Sequence, residues 1–323
     1  YADPSDANSI RNNNVASLFL DNQNILWVGN YVGGIRKFDI QTEKFIPFTD
    51  REKKADVMGI CADKAGRVWY SRKGVGIIHP NTNTFQFFDF DKYNLSGINS
   101  GSCFPVLCDK TGIIWVGSDQ GISLYDVNRE RFSSTLRAIN NDHSKIEGLY
   151  FDNEQNTLWL GTSENGLFKY DLNTQKVKHF KTNKTLNDRF FQIQTLYANK
   201  KNQLWIGTTN GIGVLDLTTE KFVKTFLNNP VMPTLANHVY GNGEFMWLAN
   251  DSADNVRIFD VLHEKEYTFS RSGSVILPSQ RISKIMNDND SNLWIGTHGG
   301  LAKLLQYSIR HNRSFKQLCI IGI

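Results

Sequence analysis

Residues 109–122 read DKTGIIWVGSDQGI, and residues 288–301 read DNDSNLWIGTHGGL. Both stretches begin with Asp, reach a Trp six residues later and end with Gly followed by an aliphatic residue. The chain contains seven tryptophans, spaced 42 to 47 residues apart: Trp27, Trp69, Trp115, Trp159, Trp205, Trp247 and Trp294. A period of roughly 40–50 residues around one aromatic residue is typical of an array of small β-sheets. The sequence therefore predicts one motif repeated seven times.

The positions around each Trp also repeat. Most copies have Asp or Asn six residues before the Trp, whereas in the fourth copy Asp152 stands one residue further away and the sixth copy has no such residue. Two residues after the Trp, every copy has a small residue: Gly29, Ser71, Gly117, Gly161, Gly207, Ala249 and Gly296. We expect these small residues to admit close packing between neighbouring sheets.

Each copy predicts four short antiparallel strands. In the third copy these are Cys103 to Cys108, Ile113 to Ser118, Gly121 to Asp126, and a fourth beginning at Arg131. The Asp and Gly between the first two strands are typical of a tight turn. An aromatic residue is predicted on each fourth strand and in the stacked core: Phe45, Phe85, Phe132, Phe180, Phe222, Tyr267 and Phe315.

The repeat predicts an all-β fold. A four-stranded sheet of about 45 residues buries too little apolar surface to be stable alone, so sheets of this kind pack face to face around an axis. We therefore expect residues 1–323 to form a single seven-bladed β-propeller of four-stranded antiparallel blades. Residues 308–323 are predicted to be the last outer strand or the stub of a following segment. Residues 1–14 are either a preceding outer strand or the remainder of an upstream propeller.

The recurring string D-x-x-G-x-L-W-I/V-G-T, followed by G-G-L/I and then F-D, resembles the two-component regulator propeller repeat. That resemblance implies the sensor region of a hybrid two-component system with a histidine kinase, as found in Bacteroides and relatives. It further implies paired propellers outside the inner membrane that respond to glycans, and hence a periplasmic location. The expected partners are an oligosaccharide ligand and a second propeller domain, a homodimer partner or both. Any kinase would lie in a part of the protein not present in this sequence.

Composition argues against several other classes of protein. The formal net charge is +4, with 36 basic and 32 acidic residues scattered along the chain, so nucleic-acid binding is not supported. The chain starts at Tyr1 and contains no apolar run of about 18 residues, so we expect neither an export signal of its own nor membrane insertion. Its four cysteines and seven histidines show no metal-binding spacing, and we expect no metal and no cofactor.

Function is expected where the copies differ, because the repeated residues serve packing. In a propeller, the connections between second and third strands and those leading into the next sheet emerge on one face. Acids, amides, cations and aromatics in these connections suit a sugar, whose hydroxyls need hydrogen bonds and whose rings stack on aromatics. The predicted ligand-binding residues are Tyr31, Arg72, Asp119, Glu164, Asn165, Arg189, Phe190, Asn210, Asp251, Arg281 and His298.

Other interpretations of these residues stay open. Any polar loop surface contains such residue types, and Phe190 with Phe191 is also explained by an apolar plug beneath the loop. Arginines in this set suit a carboxylate or sulfate. The sequence has no G-x-S-x-G or H-E-x-x-H motif, so we do not expect an enzyme. The alternatives are a polysaccharide lyase or hydrolase using His298 and Glu164, and a pure protein-interaction scaffold.

Overall fold

The structure is a computed structural model that describes residues 9–10, 12–47, 55–91, 97–135, 144–180, 192–209, 211–227, 238–241, 245–249, 256–260, 265–269, 277–279, 281–290, 292–304 and 318–319. Within these ranges the strands form seven four-stranded sheets, each with its strands in sequence order. Neighbouring strands pair antiparallel in every sheet. The prediction of an all-β fold built from four-stranded antiparallel sheets is confirmed.

The described residues group into two compact units. One unit contains the first, sixth and seventh sheets. The strands of the first sheet are Val15–Leu20, Ile25–Asn30, Gly34–Asp39 and Lys44–Ile46. Those of the sixth are His238–Gly241, Phe245–Ala249, Val256–Asp260 and Lys265–Phe269. Those of the seventh are Ile282–Asn287, Leu293–Thr297, Gly300–Leu304 and Leu318–Cys319. The predicted fourth-strand residue Phe315 lies outside the described residues.

The other unit contains the second to fifth sheets. The second sheet consists of Ile60–Ala62, Val68–Arg72, Gly74–His79 and Thr84–Asp89. The third consists of Cys103–Cys108, Ile113–Ser118, Gly121–Asp126 and Arg131–Thr135. The fourth consists of Ile146–Asp152, Thr157–Thr162, Leu167–Asp171 and Lys176–Phe180. The fifth consists of Ile193–Ala198, Gln203–Thr208, Gly211–Asp216 and Lys221–Leu227.

The Asp of the repeat holds both the first turn and the Trp. In the third sheet, Asp109 Oδ1 accepts hydrogen bonds from the backbone N–H groups of Thr111 and Ile113, at 2.8 and 3.0 Å. Asp109 Oδ2 accepts a further bond from Trp115 Nε1 at 2.8 Å. The same indole bond recurs in three other sheets, in the pairs Trp27–Asp21, Trp69–Asp63 and Trp294–Asp288. The six-residue spacing therefore satisfies the buried indole as well as the turn.

The fourth sheet lacks this bond. Its Asp152 stands seven residues before Trp159, and its Oδ1 accepts the N–H groups of Glu154 and Gln155. In the described part of the chain, neither Asp152 Oδ2 nor Trp159 Nε1 has a hydrogen-bond partner. The extra residue in this turn thus separates the carboxylate from the indole.

In three sheets the glycine two residues after the Trp lies against the first strand of the following sheet. A Cβ added to Gly161 would lie 2.3 Å from Ile193 Cγ2, on the first strand of the following sheet. Equivalent contacts link Gly117 to Ile146, at 2.9 Å, and Gly296 to Val15, at 2.6 Å. Because real atoms cannot approach so closely, glycine is required where these sheets stack. The sequence expectation is confirmed for these three glycines.

The seven tryptophans are buried, each with at most 2% of its surface exposed. In the second sheet, the Phe88 ring is stacked 6.3 Å from Trp69 and lies 5.0 Å from Phe132 of the third sheet. The predicted core residue Phe85 instead stacks on Phe87 at 6.2 Å. Since side chains alternate along a strand, Phe85 and Phe87 share the face opposite to Phe88. Phe85 is half-buried and pairs with Ile78, as the predicted core residue Phe132 pairs with Tyr125. Its place in the stacked core stays a prediction.

Ion pairs between lysine and glutamate connect neighbouring sheets beside two of the buried tryptophans. Lys169 lies 5.3 Å above the Trp159 ring, and its Nζ contacts Glu220 of the next sheet at 2.7 Å. Lys303 repeats this arrangement with Trp294 and Glu43. Burial opposes ionisation of Glu220, but hydrogen bonds from Lys169 and Lys178 hold the pKa of this carboxyl below its usual value.

Candidate functional site

One backbone hydrogen bond recurs at the end of the sheets where the predicted ligand-binding loops lie. The residue after the second strand donates its N–H to the carbonyl of the residue before the first strand. We call these residues rim pairs. Their N–H to O distances are 2.9 Å for Tyr31 with Asn14, 2.9 Å for Ser163 with Lys145, 3.2 Å for Thr209 with Gln192, and 2.9 Å for His298 with Arg281.

A hydroxyl supports the adjoining turn in four sheets. Thr297 Oγ1 donates to the Gly300 carbonyl at 2.8 Å and accepts the Gly299 N–H at 3.0 Å. Ser118, Thr162 and Thr208 make the equivalent bond to the glycine at the start of, or just before, their third strand. The rim pairs thus combine a fixed backbone with side chains that differ from sheet to sheet. Such a frame can present different ligand-binding groups without changing its own geometry.

The first sheet departs from this pattern. Asn30 replaces the hydroxyl residue, and its Nδ2 donates to the Asn12 carbonyl at 2.8 Å. The next turn contains Val32, which is 60% exposed and has a φ of 50°, an unusual conformation for a β-branched residue. Asp56 Oδ1 accepts the Val32 N–H at 2.7 Å and holds the turn in place.

Three predicted ligand-binding residues meet in the unit formed by the first, sixth and seventh sheets. Arg281 and His298 form the rim pair of the seventh sheet. The His298 ring lies 5.9 Å from the Tyr31 ring, at an interplanar angle of 57°. Arg281 is exposed, while Tyr31 and His298 are partly buried. We call Tyr31, Arg281 and His298 the aromatic–cation cluster.

A second cluster of side chains lies in the other unit, between the third and fourth sheets. Lys145 Nζ lies 5.2 Å above the Phe104 ring, and the Lys145 backbone N–H donates to Ser163 Oγ at 3.1 Å. The predicted residue Glu164 is exposed and its N–H donates to Ser144 Oγ at 2.9 Å. Glu147 completes this group, which we call the Phe104 cluster.

Glu147 occupies a bulge in the first strand of the fourth sheet. Its neighbours Ile146 and Gly148 pair with Thr162 and Gly161, which leaves Glu147 as the extra residue. Burial raises the pKa of its carboxyl, and the charge of Lys145 opposes this effect. Phe104, Lys145 and Glu147 were not among the predicted site residues, because strand periodicity alone does not reveal a bulge.

Two other predicted residues have partners within their own surroundings. Arg72 Nη1 donates to Asp89 Oδ1 at 2.8 Å, and the guanidinium lies 4.6 Å above the Phe87 ring. Asp119 Oδ1 accepts a 2.5 Å bond from Ser100 Oγ. Both side chains therefore help to hold loops together.

Of the remaining predicted ligand-binding residues, the structure describes Asn165. The backbone of Asn165 is held at both ends, since its N–H donates to Thr162 Oγ1 and its carbonyl contacts His179 Nε2 at 2.7 Å. Arg189, Phe190, Asn210 and Asp251 lie outside the described residues. Their assignment as ligand-binding residues stays a prediction.

Across the parts of the chain that the structure describes, no set of three or more His, Cys, Asp or Glu side chains is placed to hold a metal ion. A search of the same parts finds no helix long and apolar enough to cross a membrane. Burial raises the pKa of the Cys103 thiol to about 12 and that of Cys108 to about 11, which makes both poor nucleophiles.

Several known proteins are similar to this chain in sequence or in fold. The model of the family described as two component regulator propeller matches residues 9–32 and 276–299. Two segments of the chain are thus similar to this repeat. The matched segments contain the aromatic–cation cluster, including Tyr31, Arg281 and His298.

One similar protein is a histidine kinase, P4, of Formosa agariphila. It is 24% identical over 296 residues, which cover 84% of this chain and 21% of that kinase. The chain thus spans about a fifth of the length of this relative.

Solved structures show the same fold. The extracellular domain of a putative hybrid two-component system from B. thetaiotaomicron matches with a TM-score of 0.74 and 19% identity, covering 90% of this chain and 39% of that one. Virginiamycin B lyase from Staphylococcus aureus matches with a TM-score of 0.70 and 14% identity, covering 91% and 95%. At these identities the matches show the fold alone: an all-β propeller of four-stranded antiparallel blades.

Proposed function

We propose that this regulator propeller is the extracytoplasmic, periplasmic sensor region of a hybrid two-component system and that its rim recognises an oligosaccharide. Its seven sheets would be the blades of a single seven-bladed domain. The rim pairs carry the proposal, because they keep one backbone geometry while their side chains vary from sheet to sheet. A surface of this kind separates ligand recognition from the packing that the repeats require.

The two clusters supply the chemistry that a sugar needs. Tyr31 and Phe104 offer aromatic faces for stacking on pyranose rings. Carboxylates, amides and cations around them can accept and donate hydrogen bonds to hydroxyl groups. Each cluster is partly buried, so a bound ring would displace water from an aromatic surface.

Signal relay belongs to the longer protein. This chain spans 21% of the similar histidine kinase and 39% of the similar extracellular domain of a putative hybrid two-component system. Ligand binding would change how the propeller packs against a second propeller domain or a homodimer partner, and that change would be relayed to a kinase. The propeller itself would be non-catalytic.

Calorimetry and thermal-shift assays test this function. The chain, and a longer form containing its neighbouring domains, would be screened against neutral and acidic oligosaccharides. We expect saturable binding with unchanged ligand. Binding by the longer form alone would place the site at a junction between domains. Shortened or unsaturated products would contradict the sensor function and favour a lyase or hydrolase, and the absence of binding by both forms would contradict glycan recognition.

A further inference from the structure

Three buried polar side chains lie together beside the first turn of the fourth sheet. Asp152 and Thr157 pair directly across the first two strands, and Trp159 follows Thr157 by two residues. Directly paired residues share a face of the sheet, as do residues two apart on one strand, so all three side chains lie on the same face. Each has at most 4% of its surface exposed. In the described part of the chain, Asp152 Oδ2, Thr157 Oγ1 and Trp159 Nε1 make no hydrogen bond.

The Trp159 indole is placed like an indole that does bond to a carboxylate. Lys169 pairs with Trp159 and lies 5.3 Å above its ring. In the seventh sheet, Lys303 pairs with Trp294 and lies 5.2 Å above its ring, and that indole donates to Asp288 Oδ2 at 2.9 Å. This shared geometry indicates that the Trp159 N–H is also directed toward the turn of its sheet.

Asp152 also keeps the register of the bonded carboxylates. Asp109 and Trp115 are diagonal neighbours across the first two strands of the third sheet, and Asp152 and Trp159 are diagonal neighbours in the fourth. Such neighbours lie within roughly 7–8 Å of each other. The turn of the fourth sheet has one residue more, and its N–H groups hold Asp152 Oδ1. The carboxylate and the indole are therefore close enough to share one small molecule but make no direct bond.

The three atoms determine what that molecule must be. An indole N–H can only donate a hydrogen bond, a carboxylate oxygen can only accept one, and a hydroxyl can do either. The N–H disfavours a cation, and the carboxylate disfavours an anion. A neutral molecule that both donates and accepts satisfies all three atoms, and their burial requires it to be small. Buried water in proteins makes two to four hydrogen bonds to groups of this kind.

We infer that one buried water molecule bridges Trp159 Nε1 and Asp152 Oδ2 and is also held by Thr157 Oγ1. It replaces the direct bond between carboxylate and indole that the first, second, third and seventh sheets have. The fourth sheet thereby accommodates its longer turn without leaving three polar atoms unsatisfied. Loss of the indole N–H would leave the water on Asp152 and Thr157, so replacing Trp159 by Phe does not leave the carboxylate without a donor.

The indole protons of the nitrogen-15-labelled protein can detect this water. Nuclear Overhauser spectra would be recorded against the water signal in the laboratory and rotating frames, and the Trp159 signal assigned from its absence in Trp159→Phe. We expect a cross-peak between the Trp159 indole proton and water, with opposite signs in the two spectra, which distinguishes bound water from proton exchange. Trp115 and Trp294 bond directly to carboxylates, so their indoles should show no such cross-peak and serve as internal controls.

Thr157→Val separates bound water from the threonine hydroxyl, which exchanges with solvent and could relay a cross-peak. We expect the cross-peak to persist in Thr157→Val and the melting temperature to fall, because the water loses one of its partners. If Thr157 Oγ1 had no partner in the folded protein, valine would leave the melting temperature unchanged or raise it. Thr84→Val, at an exposed strand residue, should change it little.

Three results would overturn the water site. They are the absence of the cross-peak from the wild type, its disappearance in Thr157→Val, and a melting temperature of Thr157→Val equal to or above that of the wild type.

Discussion

Trp115 donates its indole N–H to Asp109 Oδ2 at 2.8 Å, across the six residues that separate them in sequence. The same carboxylate accepts two backbone N–H groups of the intervening turn. Turn formation and burial of the Trp are therefore coupled through one side chain. This coupling explains why Asp and Trp recur together at a constant distance in four of the sheets.

Replacing Asp109 by Ala should destabilise the propeller strongly. The change leaves a buried indole and two turn N–H groups without their acceptor, and each lost bond of this kind costs on the order of 1–3 kcal/mol. We expect a loss of about 2–4 kcal/mol, measured by urea denaturation. Asp126→Ala is the matched control, since Asp126 accepts an exposed N–H of Asn128. Equal losses in the two variants would show that the indole bond contributes nothing.

The third and fourth sheets offer a matched pair of tryptophans. Trp115→Phe should leave Asp109 Oδ2 buried without its donor, whereas Trp159 Nε1 has no partner to lose in the described part of the chain. Both substitutions remove similar apolar surface. We therefore expect Trp115→Phe to cost about 1 kcal/mol more than Trp159→Phe in thermal or urea denaturation. A larger cost for Trp159→Phe would contradict this explanation of the repeat.

Gly161→Ala should destabilise the stack of the fourth and fifth sheets. The added Cβ would lie 2.3 Å from Ile193 Cγ2, so one sheet must move, at a cost of about 1–3 kcal/mol. The control Gly101→Ala places its Cβ 3.6 Å from the nearest atom, Phe90 Cβ, which is ordinary contact. In an Ile193→Ala background the cost of Gly161→Ala should largely disappear. Additive costs in that double-mutant cycle would rule out a direct clash.

Ionisation of Glu147 should make the stability of the folded state depend measurably on pH. Burial raises the pKa of this carboxyl in the folded state, so the folded protein holds its proton more tightly than the unfolded chain does. Its contribution to stability must then decrease as the pH rises from the usual Glu pKa of about 4.3 through the folded value. Glu147→Gln should be the more stable protein at neutral pH, with a flatter profile of melting temperature against pH. Glu164→Gln, at an exposed residue, should follow the wild-type profile.

The strands were predictable because they repeat. In the third copy the bounds Cys103–Cys108, Ile113–Ser118 and Gly121–Asp126 follow directly from alternating apolar residues and the Asp and Gly of the turn. The acceptor of the indole was not predicted, since sequence spacing shows that Asp109 and Trp115 recur but not that their side chains meet. Both Phe85 and Phe88 fit the fourth strand of the second sheet, and the sequence did not show that Phe88 packs beside Trp69 and Phe132.

The candidate site was predictable only in part. Tyr31 and His298 were placed at the correct ends of their strands by the repeat, but their contact depends on the stacking of two sheets. The Phe104 cluster lies at or beside bulges, where one extra residue shifts the alternation of side chains. Alternation of apolar and polar residues predicts a regular strand. It does not identify the residues at a bulge, where the strand is irregular.

The most direct test of rim recognition is calorimetric titration of the oligosaccharide selected by screening against three variants. Tyr31→Ala and Lys145→Met alter the two rim clusters, and Asn128→Ala alters an exposed turn between the third and fourth strands of its sheet. We predict that at least one rim variant weakens binding tenfold or more, about 1.4 kcal/mol, while Asn128→Ala binds as the wild type does. Wild-type affinity in both rim variants would contradict recognition by the rim, whether or not Asn128→Ala loses binding.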